Sequence, residues 1–208
     1  MAKKPEASDR LIDAALKLAA ERGWRDATLP EIARAAGVSL AEAYRVMPSR
    51  SAVLDGFARR IDAEVLGADA VEEDSVRARD RLFDVLMRRF DALQRHRAAV
   101  SAILRDAFGD PLAALASLPQ FLRSMRWMGE AAGLPMDGIG GALRTKAIAA
   151  AWAGAMRSWL SDESPDLSRT MAALDQRLRW VERMGLLGKA ERGGGGAGAS
   201  EAETGAPV

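Results

Sequence analysis

The chain has 208 residues, 49% of them hydrophobic, and a formal net charge of +1 at pH 7, which predicts a folded globular protein. The absence of cysteine excludes disulfides and thiolate metal sites. The single histidine, His96, makes a histidine-based zinc site or a Ser-His-Asp triad hard to assemble. We therefore expect no metal, no cofactor and no catalytic residue, and a protein that is not an enzyme.

The amino-acid usage also predicts the fold class and the compartment. The hydrophobic residues are mainly Ala, Leu and Met, tyrosine occurs once and β-branched residues are sparse, a bias that favours an all-α fold. The polar N-terminus lacks the apolar core of a signal peptide, and no run of about 18 apolar residues could span a bilayer. We expect a cytoplasmic protein with no stable membrane insertion.

Four short helices are predicted in the first 66 residues. An amphipathic stripe over 8–22 indicates the first helix. Two capping boxes, Thr28-Leu-Pro-Glu31 and Ser39-Leu-Ala-Glu42, start the second and third helices on either side of Gly37. Met47-Pro48-Ser49 ends the third helix, and the fourth is marked by an apolar stripe of Val53, Leu54, Phe57 and Ile61.

The rest of the chain is also predicted to be helical. The stretch 67–75 is acidic and poor in bulky apolar residues, which is typical of a connection between two packing units. Apolar stripes then predict helices over 82–93, 97–107, 111–131 and 142–160 and a last helix that starts at Ser164-Pro165-Asp166. We expect one domain over 1–66, a second over 67–188 and a disordered Gly/Ala-rich tail over 189–208.

Two short helices joined by Gly37-Val38-Ser39 are typical of a helix-turn-helix, whose second helix presents its N-terminal side chains to the major groove of DNA. The stretches Thr28-Leu-Pro-Glu-Ile-Ala-Arg-Ala-Ala-Gly-Val-Ser39 and Tyr44-Arg-Val-Met-Pro-Ser-Arg50 resemble the DNA-binding signature of the TetR regulator family. The resemblance covers about residues 8–62. It implies a TetR-like fold, in which an N-terminal helix-turn-helix domain of three helices precedes a helical domain for ligand binding and dimerisation.

The resemblance also implies which residues contact DNA. In the family, DNA is touched by the threonine opening the second helix, the serine opening the third, a tyrosine late in the third and a basic residue opening the fourth. Here these are Thr28, Ser39, Tyr44 and Arg50. Base reading is expected of Leu40, Ala41, Tyr44 and Arg45, since arginine can pair with guanine and apolar groups can meet a thymine methyl.

Some features of this stretch allow a simpler interpretation. Thr28 and Ser39 would be needed as helix caps even in a protein that never met DNA. The chain departs from the family pattern at Val46 and Met47, where histidine and phenylalanine are usual. Residues 1–62 carry eleven Lys/Arg against nine Asp/Glu, which is weak electrostatic support for phosphate binding.

The second half of the chain, rich in Met and Trp, can enclose a ligand between facing helices. The stretch 142–160 is apolar on nearly all sides, which indicates burial between helices or in a subunit interface. Because no convergent set of acids or bases is visible, we expect a small apolar or lipid-like ligand. The candidate lining residues, which would otherwise simply fill a core, are Phe90, Phe108, Met125, Met128, Trp152 and Met156.

A second resemblance spans about residues 78–180 and concerns a ubiquinone-biosynthesis accessory family that shares the TetR-like fold. It implies a lipid- or isoprenoid-binding protein that does not bind DNA. The segments that carry it are Leu118-Pro119, Trp127, Ala132-Gly133, Trp159-Leu-Ser-Asp-Glu-Ser-Pro-Asp166, Thr170 and Leu174-Asp-Gln-Arg-Leu178.

The regulator is the favoured interpretation, because Gly37-Val38-Ser39 and Tyr44 keep its signature. We expect a homodimer built through the last two long helices, most simply a repressor, on a palindromic double-stranded DNA operator. Its two helix-turn-helix units would lie about one DNA turn apart, and ligand binding would alter that spacing.

Overall fold

The computed structural model describes residues 6–67, 77–109 and 111–187, and these ranges contain nine α-helices and no strand. The prediction of an all-α fold is confirmed. In chain order the helices are α1 Ala7–Arg22, α2 Leu29–Ala35, α3 Leu40–Val46, α4 Arg50–Leu66, α5 Ala78–Gln94, α6 Arg97–Phe108, α7 Pro111–Ala131, α8 Gly138–Ser161 and α9 Ser168–Arg183.

The helix boundaries differ from the predicted ones in four places. α5 begins at Ala78, one turn before the expected start at 82. α4 has 17 residues and is not short, because its buried stripe continues to Val65. α8 begins at Gly138, one turn before the expected start at 142. α9 begins at Ser168 and not directly after Ser164-Pro165-Asp166, because Leu167 adopts a left-handed backbone conformation with φ 53° that separates the turn from the helix.

The turn between α8 and α9 is built around the buried carboxylate of Asp162. This carboxylate accepts hydrogen bonds from the backbone N–H groups of Ser164 at 3.1 Å and Thr170 at 2.8 Å, and from both of their hydroxyls. Burial alone raises the pKa of Asp162, but the hydrogen bonds from Ser164 and Thr170 outweigh burial and hold the pKa below its ordinary value. Ser164 and Asp166 in turn accept from the backbone N–H of Ser168. The Ser-Pro-Asp segment therefore builds a turn and caps α9.

The buried side chains form one continuous hydrophobic cluster that includes residues from both predicted domains. α1 packs against α6, and α4 packs against α5 and α7, so α4 and α6 connect the helix-turn-helix to the second half of the chain. The stretch 68–76 at the predicted boundary and the predicted disordered tail over 189–208 lie outside the described residues. Within the described ranges, no helix is both long enough and apolar enough to cross a bilayer.

Candidate nucleic-acid interface

The turn between α2 and α3 has the geometry of a helix-turn-helix. α2 ends in a Schellman motif, in which the N–H of Gly37 bonds to the Arg34 carbonyl at 3.2 Å and that of Val38 to the Ala33 carbonyl at 3.0 Å. Gly37 has φ +63°, a left-handed conformation that glycine adopts without steric cost. The Arg10 guanidinium donates to the Gly37 carbonyl at 3.2 Å and ties the turn to α1.

Both helices of the motif open on a polar cap. Glu31 Oε2 accepts from the Thr28 backbone N–H at 3.0 Å and from the Thr28 hydroxyl at 2.7 Å. The bond from the hydroxyl, with that from the backbone, lowers the pKa of Glu31. Ser39 Oγ accepts from the Glu42 N–H at 3.2 Å. The hydroxyl hydrogen of Thr28 is therefore used within the protein, whereas Ser39 can still donate its own.

Helix α3 has one exposed and one buried face. Tyr44 is 67% exposed and Leu40 is 51% exposed, and their neighbours Ala41 and Arg45 are also exposed. Because positions i, i+1, i+4 and i+5 share one side of a helix, these four residues form a single outward surface. Ala43, on the opposite side, is fully buried. The structure thus brings together the four residues that the sequence predicts to read bases.

The two departures from the family signature lie in different environments. Met47 is 4% exposed and packs against α4, where its Cε atom lies 2.7 Å from the position that a Cβ at Gly56 would occupy. Met47 therefore fills the core at the end of α3, which requires apolar volume but no aromatic ring. Val46 is exposed and adds an apolar group beside the outward surface of α3.

The Arg50 side chain is turned towards the loop between α1 and α2. Its guanidinium donates to the backbone carbonyls of Trp24 and Arg25, the latter at 3.3 Å. Its Cζ atom lies 4.6 Å from the centroid of the Trp24 ring. Arg50 thus joins the start of α4 to this loop, and in this arrangement its guanidinium is not presented to a phosphate.

Three further residues hold the motif in place and were not recognised in the sequence. Ser49 caps α4 by accepting from the Ala52 N–H at 3.0 Å, and a serine just before an apolar stripe is a signal that could have revealed it. Asp106 of α6 accepts from the Arg25 N–H at 2.6 Å. Arg10 and Asp106 act across 27 and 81 positions of the chain, so no local pattern indicates them.

The candidate ligand residues of the second half are part of the core. Phe90, Met125, Met128, Trp152 and Met156 are buried members of the same hydrophobic cluster. The Phe90 and Trp152 rings stack with their centroids 5.4 Å apart. The side chain of the sixth candidate, Phe108, lies outside the described part of the chain.

Two surface clefts in the described ranges lie away from these residues. One, of about 370 Å³, separates α4 from α5 and is lined by Glu64, Arg88 and Arg95 among others. The other follows the outside of α9 beside Arg79 and Asp175. Neither cleft is lined by a candidate ligand residue.

Comparison with known proteins identifies the N-terminal part of the chain. Residues 11–55 match the family model described as bacterial regulatory proteins, tetR family. This range includes all of α2 and α3 with the turn between them. No curated protein sequence matches the chain.

Solved structures of regulators share the fold over most of the chain. A TetR transcriptional regulator of Nitrosomonas europaea is similar with a TM-score of 0.68 and 22% identity, covering 86% of this chain and 99% of its own. The fatty acid degradation regulator FadR of Bacillus halodurans has a TM-score of 0.55 and 21% identity, with coverages of 85% and 96%. NalD of Pseudomonas aeruginosa, the secondary repressor of the MexAB-OprM multidrug efflux pump, has a TM-score of 0.52 and 18% identity, with coverages of 83% and 96%.

These findings support the resemblance to the TetR regulator family that was seen in the sequence. They provide no support for the resemblance to ubiquinone-biosynthesis proteins. The family model matches the segment that folds into the helix-turn-helix, and the structures extend the likeness of fold to the helices that follow. Residues 11–55 are therefore similar to the helix-turn-helix segment of the tetR family, and the described chain has the fold of solved TetR regulators.

Proposed function

We propose that the chain is a TetR-type transcriptional regulator, a repressor that binds a palindromic double-stranded DNA operator as a homodimer and responds to an apolar or lipid-like ligand. The proposal of operator binding rests on the outward surface of α3, which is formed by Leu40, Ala41, Tyr44 and Arg45. The buried face of the same helix anchors this surface to the core through Ala43. An α-helix with such a surface fits the major groove, which is about 12 Å wide.

Within this surface, Arg45 is the residue best suited to recognise a base. It is exposed and makes no hydrogen bond or ion pair in the described part of the chain, so its guanidinium can pair with both acceptors of a guanine. Leu40 and Ala41 can meet a thymine methyl group, and Tyr44 can reach a base edge or a phosphate. Ser39 is assigned to a phosphate because its hydroxyl can still donate.

Thr28 and Arg50 contribute mainly by positioning in this proposal. The Thr28 hydroxyl donates to Glu31, so a phosphate would have to replace a carboxylate that is already hydrogen-bonded. Arg50 would have to release the Trp24 carbonyl and the Trp24 ring. Both residues keep α2 and α4 at the angle that lets α3 reach the groove, and a phosphate contact by either one requires rearrangement on DNA.

The subunit interface is assigned to α8 and α9. At the start of α8, Ile139 is 91% exposed and Leu143 is 52% exposed, and at the end of α9 Trp180 is 54% exposed and Met184 is 53% exposed. Large exposed apolar groups gathered in one region mark an interaction site. The exposed side of α8 also carries the small residues Ala142, Ala150 and Ala153, which allow close helix packing, together with the exposed Lys146 and Arg157. Two copies of this helix pair would form a four-helix interface.

The interface is tested by placing a charge within it. Leu143→Asp should convert the dimer to a monomer in sedimentation velocity, because a carboxylate in the centre of an apolar interface loses its hydration without a partner. Leu115→Asp is the matched control, since Leu115 is 63% exposed but lies on α7. A Leu143→Asp protein that remains dimeric would remove α8 from the interface.

The ligand part of the proposal is supported by the apolar, aromatic interior of the second half. We assign the site to Phe90, Met125, Met128, Trp152 and Met156, which would separate to admit a ligand between α5, α7 and α8, with Phe108 of α6 as the sixth candidate. Two of the similar structures are a regulator of fatty acid degradation and a repressor of a multidrug efflux pump. Both descriptions are compatible with control by an apolar molecule.

Titration of the full chain against its own upstream DNA and a scrambled duplex, at two salt concentrations, tests operator binding. Specific binding should exceed non-specific binding by roughly 10³ or more. Arg45→Ala should relax the preference at particular base pairs, whereas Ser39→Ala should weaken binding to both duplexes. Equal affinity for the two duplexes at both salt concentrations would refute sequence-specific recognition by α3.

A further inference from the structure

A polar cluster lies inside the helical half, where α4, α5, α7 and α8 meet. Asp62 of α4 and Arg89 of α5 are 7% and 5% exposed and form an ion pair. Ser124 of α7 is 1% exposed and donates its hydroxyl to the same Asp62 oxygen at 2.7 Å. The Arg89 Cζ atom lies 5.4 Å from the ring centroid of Trp152 on α8. The buried Asp62 carboxylate therefore joins α5 and α7 directly, and Arg89 extends the cluster to α8.

The cluster has more hydrogen-bond donors than acceptors. In the described part of the chain, Arg89 Nε and the indole nitrogens of Trp152 and Trp159 are buried and have no protein acceptor. The two indoles flank one ring, because Phe90 stacks on Trp152 at 5.4 Å and is tilted against Trp159 at 6.3 Å. Buried donors are almost always paired in folded proteins, so this group of three requires an explanation.

We propose that these donors anchor the ligand, which is an uncharged, largely aromatic molecule carrying a carbonyl-type oxygen that accepts hydrogen bonds from Trp152 Nε1 and Arg89 Nε. The inference rests on the proposed ligand control and specifies the chemistry of that site. The positive charge of Arg89 is already neutralised by Asp62, so a ligand carboxylate would bring an unpaired charge into the core. Phe90 and Trp152 supply flat apolar surfaces on which an aromatic ring can stack.

The route to this anchor follows one stripe of α7. Leu115 and Leu118 are 63% and 41% exposed, Leu122 is partly buried and Met125 is fully buried, so one apolar face leads from the surface into the core. Phe121 lies beside this stripe, with its ring centroid 5.6 Å from that of Trp152. An apolar molecule that moves along the stripe reaches the unpaired donors when Phe121 and Trp152 separate.

Matched probe pairs that differ only in the acceptor test the proposal. Acetophenone and ethylbenzene, 1-indanone and indane, and fluorenone and fluorene are titrated into the full chain by calorimetry, with benzoate as the anionic probe. At least one ketone should bind about tenfold more tightly than its hydrocarbon partner, and benzoate should bind no better than ethylbenzene. Trp152→Phe should abolish the preference, whereas Trp127→Phe, which changes a 50% exposed indole on α7, should retain it.

A second measurement does not depend on a variant that folds. In ¹H–¹⁵N spectra of the wild-type protein, one buried indole N–H resonance should move downfield with the ketone and not with the hydrocarbon. Equal binding within every pair, tighter binding of benzoate, or no interaction with any probe would overturn the proposal. Operator titration without probes is independent of all these outcomes, so loss of the anchor and loss of DNA binding are distinguished.

Discussion

Replacement of Arg50 distinguishes a phosphate contact from a contact that positions the helix-turn-helix. The family resemblance assigns this side chain to DNA, whereas the structure places its guanidinium on the carbonyls of Trp24 and Arg25 and over the Trp24 ring. Hydrogen bonds from a charged donor contribute about 1.5–3 kcal/mol and an exposed cation–π contact about 0.5–1 kcal/mol. Because the guanidinium is only partly buried, we expect Arg50→Ala to lower the free energy of unfolding by about 2 kcal/mol.

For a chain of this size, such a loss lowers Tm by about 4–8 °C. Arg50→Lys should recover only part of it, since an ammonium keeps the charge but lacks the planar fork that reaches two carbonyls. Arg45→Ala is the control, because Arg45 is exposed and lies on the outward surface of α3. Its Tm should stay within about 1 °C of wild type, as expected for a surface substitution.

DNA titrations as a function of salt give the second half of the test. A residue that neutralises one phosphate contributes about 0.9 to the slope of log K against log [salt]. If Arg50 acts by positioning, Arg50→Ala binds more weakly with an unchanged slope. An unchanged Tm together with a slope reduced by about 0.9 would refute the positioning role and restore the phosphate contact.

Three further substitutions test other contacts. The lowered pKa of Asp162 means that its carboxylate stabilises the fold at neutral pH and that this contribution is lost as the pH falls below about 4. Asp162→Asn should therefore lower the free energy of unfolding by about 2 kcal/mol at pH 7, and urea titrations should show that this variant loses less stability in acid than the wild type. Wild-type and variant stabilities that fall in parallel with pH would contradict this. In Gly37→Ala, the added Cβ would have no neighbouring atom within 4 Å. Calorimetry should therefore detect only the cost of placing alanine in a left-handed backbone conformation, about 1–2 kcal/mol. An unchanged Tm would show that the turn has another geometry. Asp106→Ala should accelerate hydrogen exchange at the Arg25 amide, and unchanged protection would mean that this bond does not hold the loop.

The positions of α2 and α3 could be predicted because their signals are local. Thr28 and Ser39 each lie three residues before a glutamate, and the caps that they form need only one turn of helix. Gly37 lies where the chain must adopt a left-handed conformation. The outward position of Tyr44 then follows from helical periodicity once Ala43 is assigned to the core.

The side-chain direction of Arg50 could not be predicted in this way. Its partners are carbonyl groups of a loop 25 and 26 positions earlier, and only the packing of α1 against α4 brings them within reach. Asp62 and Arg89 are a similar case, because a charged residue in a helix is normally read as part of a solvated face. Their burial depends on α7, whose Ser124 closes the cluster from the other side.

These long-range contacts indicate how a ligand could act on the DNA-binding surface. The loop between α1 and α2 is held by Arg50 at the start of α4 and by Asp106 near the end of α6, and the other end of α4 is held by the pair of Asp62 with Arg89. In the proposed site the ligand oxygen accepts from Arg89 Nε while a terminal nitrogen of Arg89 stays paired with Asp62, so a ligand that shifts Arg89 also changes the geometry of its pair with α4. Couplings between sites are typically 1–3 kcal/mol, which is comparable to the contribution of one buried charged hydrogen bond. Changing this single pair is therefore sufficient in magnitude to alter the position of α4, and with it the loop and the helix-turn-helix that Arg50 attaches to α4.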